Sequence, residues 1–123
     1  MKVWKVLIAS FLLLPVLVDA APRKGRWSEE KANEWYYSQD WAVGCDYIVS
    51  DAINQIEMWQ ESTFNPALID KELAVAEELG FNTVRLFLHD LVYESDPKGF
   101  KMRVAQVLDI CEIHGIKVVM TFF

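Results

Sequence analysis

One signal occurs twice in this chain and constrains its fold more than any other feature. A capping residue followed by proline, which favours the start of a helix, stands at Asn65-Pro66 and again at Asp96-Pro97. An apolar stripe at helical spacing follows each start, and a glycine, Gly80 or Gly115, then ends each helix. A segment rich in β-branched and aromatic residues comes directly after each glycine, as expected of a strand. The repeat predicts a parallel α/β fold.

The pattern predicts three strands, at residues 41–49, 81–88 and 116–123. The first is a nearly continuous apolar run, which is typical of a buried parallel strand, and Gly44 within it indicates close packing on the backbone. Ser28 as an N-cap, with acidic residues after it, predicts a further helix over about 29–39. We expect the apolar face of that helix to lie in a core, through Ala32, Trp35 and Tyr36.

The sequence divides into three parts. Residues 1–20 have the features of a secretory signal peptide, because Lys2 and Lys5 precede an apolar run and Val18-Asp19-Ala20 fits a cleavage site. The apolar run is shorter than the roughly 20 residues that span a bilayer, which favours a signal over an anchor. Residues 21–40 form a linker and the N-terminal helix, and residues 41–123 form the α/β domain. The protein is therefore expected to be secreted or periplasmic, with no membrane association after signal removal.

The net charge, the cysteines and the histidines indicate which partners, metals and cofactors are not expected. The formal net charge of −6 argues against nucleic acid and anionic membranes as partners, and suits a neutral substrate, although solubility explains it equally well. Cys45 and Cys111 form no metal-binding pattern; we expect buried free thiols, with a disulfide left open. His114 is placed to interact with a helix dipole, so no metal site is predicted. No phosphate-binding loop follows the first strand, and no cofactor is predicted.

The second strand has two different faces. Alternation places Val84, Leu86 and Leu88 on an aliphatic face suited to a helix layer, and Arg85 on the opposite face. A buried arginine requires a carboxylate partner, and a closed barrel offers side chains from across its lumen. The strand therefore favours a barrel over a flat, doubly wound sheet. Ligands bind at the carboxyl ends of parallel strands, where the connections 50–64 and 89–96 lie.

These residues resemble a known family. The run Gly80–Arg85, followed by Phe87–Asp90, resembles the second-strand region of cellulase-like glycoside hydrolases of the family 5 type, which are TIM barrels. The run Ala52–Gln60, preceded by Gly44-Cys45, resembles a subgroup of secreted bacterial proteins described as 1,4-β-xylanase- or cellulase-like. The resemblance covers about Trp27 to the C-terminus. It implies that the chain forms about three βα units, the N-terminal portion of a TIM (β/α)8 barrel.

The resemblance also implies a chemistry. Such enzymes cleave β-1,4-linked polysaccharides of the xylan or cellulose type with two glutamates, at the ends of strands four and seven. We therefore expect no catalytic residue in this chain, Arg85 as support for the missing nucleophile, and no activity from these residues alone. The unprotected edge of the third strand also suggests part of a larger protein. The side chains expected to bind substrate are Asn54, Gln55, Glu57, Trp59, His89 and Asp90.

Several alternatives remain open at this point. A catalytic pair drawn from the acids of the first strand and the two connections is less favoured, since loop acids are more often solvated or sugar-binding; the acids concerned are Asp46, Glu57, Asp90 and Glu94. The apolar residues near Trp59 could form a short helix that only holds the loop down, and His89 with Asp90 could be a structural pair. The chain could also be a non-catalytic carbohydrate-binding α/β protein or, last in rank, a flavodoxin-like domain.

Overall fold

A computed structural model describes residues 25–122, so the predicted signal peptide lies outside the described residues. The chain divides into two compact units, Met1–Gln39 and Asp40–Phe123. Within residues 25–122, no helix has the length and apolar character needed to cross a membrane.

The described part of the first unit contains one helix, α1, at Glu29–Tyr37. Ser28 caps it as predicted, because its side chain accepts a hydrogen bond from the backbone N–H of Lys31 at 3.3 Å. The prediction that its aromatic residues lie in a core is wrong: Trp35 is 53% exposed and α1 has no buried residue. The reason is that α1 is the only helix or strand described in this unit, and the Trp27 ring, which packs edge-to-face with Trp35, is itself exposed.

The second unit is a mixed α/β fold with a small parallel sheet. Its three strands are hydrogen-bonded in the order β1-β2-β3, and both pairs are parallel. The elements, in chain order, are β1 Gly44–Asp46, α2 Gln55–Trp59, α3 Pro66–Glu78, β2 Thr83–Phe87, α4 Asp90–Ser95, α5 Pro97–Ile113 and β3 Lys117–Thr121.

The two repeated signals begin and end helices as predicted. The side chain of Asn65 accepts from the backbone N–H of Leu68 at 3.2 Å and caps α3. Asp96 caps α5 through the N–H of Gly99 at 2.9 Å. After the two helices the chain turns through glycines at positive φ, +84° at position 80 and +66° at position 115, a conformation that glycine adopts without steric cost.

The core lies on one face of the sheet. On β2 and just after it, Val84, Leu86 and Leu88 are buried, whereas Arg85 between them is exposed. This confirms the predicted alternation of faces. The helices α3 and α5 pack against each other and against this apolar face, and their buried side chains include Ile69, Leu73, Val107 and Cys111.

The first strand differs from its prediction in length and burial. β1 covers three residues rather than nine, and all three are exposed. Cys45 is consequently exposed, which corrects its expected burial, whereas Cys111 is buried as predicted and both are free thiols. The physical reason is that β1 is an edge strand of the described sheet, paired with β2 alone. Gly44 is closely packed as predicted, since a Cβ there would overlap the carbonyl oxygen of Thr83.

Candidate functional site

The carboxyl ends of β1 and β2 carry the polar residues expected of a ligand site. β1 is followed by a connection that contains α2, and β2 is followed directly by α4. In a parallel sheet these ends meet at one edge, where ligands bind. Within residues 25–122, the face of the sheet opposite α3 and α5 is uncovered at Arg85 and leads up to this edge. We call the edge and the uncovered face together the open site.

An ion pair dominates the uncovered face. The Nη2 atom of Arg85 lies 2.7 Å from Oδ2 of Asp46, and the two side chains are 49% and 58% exposed. The pair forms because the two residues are register neighbours on adjacent parallel strands. The guanidinium also lies over the ring of Phe87, 5.0 Å from its centroid, a cation–π contact.

The ion pair gives Arg85 a partner that the sequence analysis did not name. In the described residues its carboxylate partner is Asp46, and its support of a glutamate outside this chain stays a prediction. The need for a carboxylate partner is thus met by the neighbouring strand, and Arg85 is exposed rather than buried. A guanidinium carries five N–H donors, so the contact with Asp46 leaves capacity for a second acceptor.

Trp59, expected to present its ring to a sugar, is instead fully buried, with 0% exposure. Its indole N–H donates to the backbone oxygen of Phe87 at 2.7 Å, and its ring meets the ring of Phe100 edge-to-face at 5.9 Å. The short helix α2 therefore folds inward beneath the carboxyl end of β2. The apolar residues near Trp59 thus form the short helix that holds the loop down, which was one of the alternatives, and Trp59 belongs to the core.

The other expected sugar-binding residues of this loop also have partners within it. The side chain of Asn54 caps α2 by accepting from the N–H groups of Ile56 and Glu57. Oε2 of Glu57 accepts from the N–H of Ile53 at 2.8 Å. Gln55 is the first residue of α2 and is half-buried. Asn54 and Glu57 therefore shape the loop, whatever else they contact.

His89 and Asp90 lie at the end of β2, where His89 caps α4 and Asp90 is its first residue. The backbone N–H of Leu91 is shared between Nδ1 of His89 at 3.3 Å and Oδ1 of Asp90 at 2.8 Å. The two side chains are 3.0 Å apart at these atoms, so they form the structural pair that was one of the alternatives. They also border a cleft of about 530 Å³ between α4, α5 and the end of β3, whose walls are apolar.

Sequence reasoning missed a buried arginine behind the site. Nε of Arg103 donates to the backbone oxygen of Trp59 at 2.6 Å, and Nη2 lies 3.0 Å from Oδ2 of Asp96. The N–H of Gly99 and this guanidinium lower the pKa of the Asp96 carboxyl. The available signal was position: Arg103 follows Phe100 by three residues and so lies on the apolar stripe of α5.

A second missed contact anchors the loop after β1. The hydroxyl of Tyr47 donates to Oε2 of Glu72 on α3 at 2.7 Å, and the N–H of Ser50 donates to Oε1 at 3.2 Å. Burial and the Glu72 carboxylate raise the pKa of Tyr47 well above its usual range. Within residues 25–122, no three His, Cys, Asp or Glu side chains are arranged to hold a metal ion.

Comparison with known proteins returned no match: no family model, no curated protein and no solved structure is similar to this chain. The resemblance to glycoside hydrolases rests on the runs Gly80–Arg85, Phe87–Asp90 and Ala52–Gln60.

Proposed function

We propose that the second unit is the N-terminal portion, about three βα units, of a TIM (β/α)8 barrel in a secreted glycoside hydrolase. Its substrates would be β-1,4-linked polysaccharides of the xylan or cellulose type. The strand order β1-β2-β3 follows the chain, as it does around a barrel. Both crossover helices, α3 and α5, contribute to one core on a single face of the sheet.

The observation that carries this proposal is the charged, uncovered face of the sheet. A doubly wound sheet has helices on both faces, whereas a barrel turns one face toward its lumen and active site. Here the face opposite the helices bears Asp46 and Arg85 as an exposed ion pair. Such a pair is well suited to a polar lumen and poorly suited to a helix interface, where both charges would lose their hydration.

The proposed mechanism uses the carboxylates of two glutamates, which the resemblance places on strands four and seven, outside these three βα units. Retaining enzymes of this kind hold them roughly 5 Å apart. Arg85 would position the nucleophilic carboxylate with its remaining N–H donors, and its positive charge would keep that group ionised. Asp46 in turn orients the guanidinium from β1. A catalytic pair that included Asp46 and Glu57 is disfavoured, because Asp46 is held by Arg85 and Glu57 by the loop backbone.

His89 and Asp90 are the residues of this chain proposed to meet sugar hydroxyls. Nδ1 of His89 contacts both the Asp90 carboxylate and the backbone N–H of Leu91, which leaves Nε2 as the ring nitrogen to meet a sugar hydroxyl. The exposed Asp90 carboxylate can accept a hydrogen bond from another hydroxyl. Asn54, Gln55 and Glu57 remain further candidates, but Trp59 does not, because its ring is enclosed.

The test uses the complete natural protein, assayed for release of reducing sugar from xylan and from cellulose. We expect hydrolysis of a β-1,4-linked glycan, and a loss of kcat on the order of 100-fold in Arg85→Ala through misplacement of the carboxylate. Lys71→Ala, which removes an exposed positive charge on α3, is the matched control and should retain the wild-type rate. Absence of hydrolysis on every β-1,4-linked glycan would refute the proposal.

The same protein also decides the alternative. A non-catalytic carbohydrate-binding protein would be retarded in gels that contain xylan or soluble cellulose, yet would release no sugar. Asp46 and Glu57 already have partners within the chain. Carbohydrate binding without catalysis is therefore favoured over a catalytic pair inside these three βα units.

A further inference from the structure

A histidine at the end of α5 is held between two carboxylates of α3. Nδ1 of His114 lies 2.8 Å from Oε2 of Glu77, and Nε2 lies 2.9 Å from Oδ1 of Asp70. The histidine side chain is only 12% exposed, whereas the carboxylates are more than half exposed. Asp70 and Glu77 are seven residues apart, two turns of a helix, and so share one face of α3.

The number of available protons decides the charge of this cluster. A neutral imidazole has one N–H donor, and ionised carboxylates only accept hydrogen bonds. Two hydrogen bonds from the ring to two carboxylates therefore require the imidazolium form. In the neutral form one ring nitrogen would direct its lone pair at a carboxylate oxygen less than 3 Å away, which is repulsive.

We propose that His114, Asp70 and Glu77 form a pH-responsive clamp between α3 and α5, which makes both hydrogen bonds when the ring carries two protons and loses one of them when the ring gives up a proton. The two helices contribute most of the layer that covers the sheet. The proposal is independent of the catalytic function, because the clamp lies away from the open site.

The charged groups around His114 also favour the protonated form of its ring. From α3, Glu77 and Asp70 act on the ring and raise the pKa of His114, chiefly by hydrogen bonding and against a smaller opposing effect of burial. On α5 itself the nearest charge along the chain is Glu112, and on β3 it is Lys117. The helices α2 and α4 contact the first half of α5, through the residues around Phe100, and so lie near its opposite end.

The direction of the stability change follows from the raised pKa. The folded protein binds the proton more tightly than the unfolded chain, whose histidine has a pKa of about 6.5. The clamp's contribution is therefore fully present below about pH 6.5. It is lost as the pH rises through the higher pKa of the folded state.

The first test is a pH titration of the His114 ring protons by NMR in the intact chain, with His89→Gln used to assign the two histidines. We expect a midpoint above 6.5, and nitrogen shifts of an imidazolium on both ring atoms below that midpoint. Asp70→Asn and Glu77→Gln should each lower the midpoint, and Glu78→Gln, which removes an exposed carboxylate one position along α3, should leave it unchanged. A wild-type midpoint at or below 6.5 would overturn the proposal without any variant.

The second test follows unfolding by urea at pH 6 and at pH 9. The wild type should lose more stability over this interval than His114→Gln, since the glutamine has no proton to lose there. Equal losses in the two proteins would show that the ring's protonation does not hold the helices together, and would also overturn the proposal.

Discussion

The burial of Trp59 leads to a prediction with a calculable size. Trp59→Phe keeps an aromatic ring but removes the indole N–H that donates to the oxygen of Phe87 at 2.7 Å. A hydrogen bond contributes about 0.5–1.5 kcal/mol net, and the smaller ring leaves a cavity beside Phe100. We expect the free energy of unfolding to fall by about 1–3 kcal/mol. Trp59→Ala, which also removes the edge-to-face contact, should lower it by about 3–5 kcal/mol.

Equilibrium unfolding in urea, followed by far-UV circular dichroism, measures both changes. Far-UV detection is preferred because the substitutions themselves alter tryptophan fluorescence. Trp41→Phe is the matched control, since Trp41 is 84% exposed and exposed substitutions usually change stability by less than about 0.5 kcal/mol.

Two results would refute the reasoning. If Trp59→Phe unfolded at the same urea concentration as Trp41→Phe, neither the hydrogen bond nor the packing of the indole would stabilise the fold. If Trp59→Ala kept full stability but lost binding to xylan or cellulose, the ring would face the ligand, as the sequence first suggested.

Three further predictions follow from the sheet and the cysteines. Gly44→Ala should lower the free energy of unfolding by about 1–3 kcal/mol, because the new Cβ overlaps the backbone of β2; an unchanged thermal midpoint would contradict this close approach. Iodoacetamide at pH 8 should alkylate the exposed Cys45 first, since burial raises the pKa of the Cys111 thiol to about 11; equal labelling rates would contradict the assignment. A double-mutant cycle on Asp46 and Arg85 should give a coupling below about 1 kcal/mol, as is usual for exposed ion pairs, and a larger coupling would indicate that other groups enclose the pair.

The local features were predictable because their causes are local. Helix starts depend on a capping side chain and the N–H groups two or three residues away, as at Asn65. The ends of α3 and α5 depend on the positive φ that Gly80 and Gly115 adopt. The alternation around Arg85 depends only on the two-residue period of a strand, so the sequence alone predicts the two faces of β2.

The failures have a common physical cause as well. Whether Trp35 and Cys45 are buried depends on which other helices or strands pack over them. The residue types alone do not show this. The amphipathic character of Trp59 suits a sugar platform and a core equally well. Only the inward path of α2, held by Arg103, decided between them.

Local interactions and long-range contacts thus determine different features of this protein. The sequence by itself determined the repeated helix–strand units, the starts and ends of their helices and the two faces of β2, because interactions over a few residues control all of these. The tertiary structure decided that Arg85 pairs with Asp46, 39 residues away, and that His114 bridges two carboxylates of α3. Those contacts depend on strand register and helix packing, which arise only when distant segments share one core.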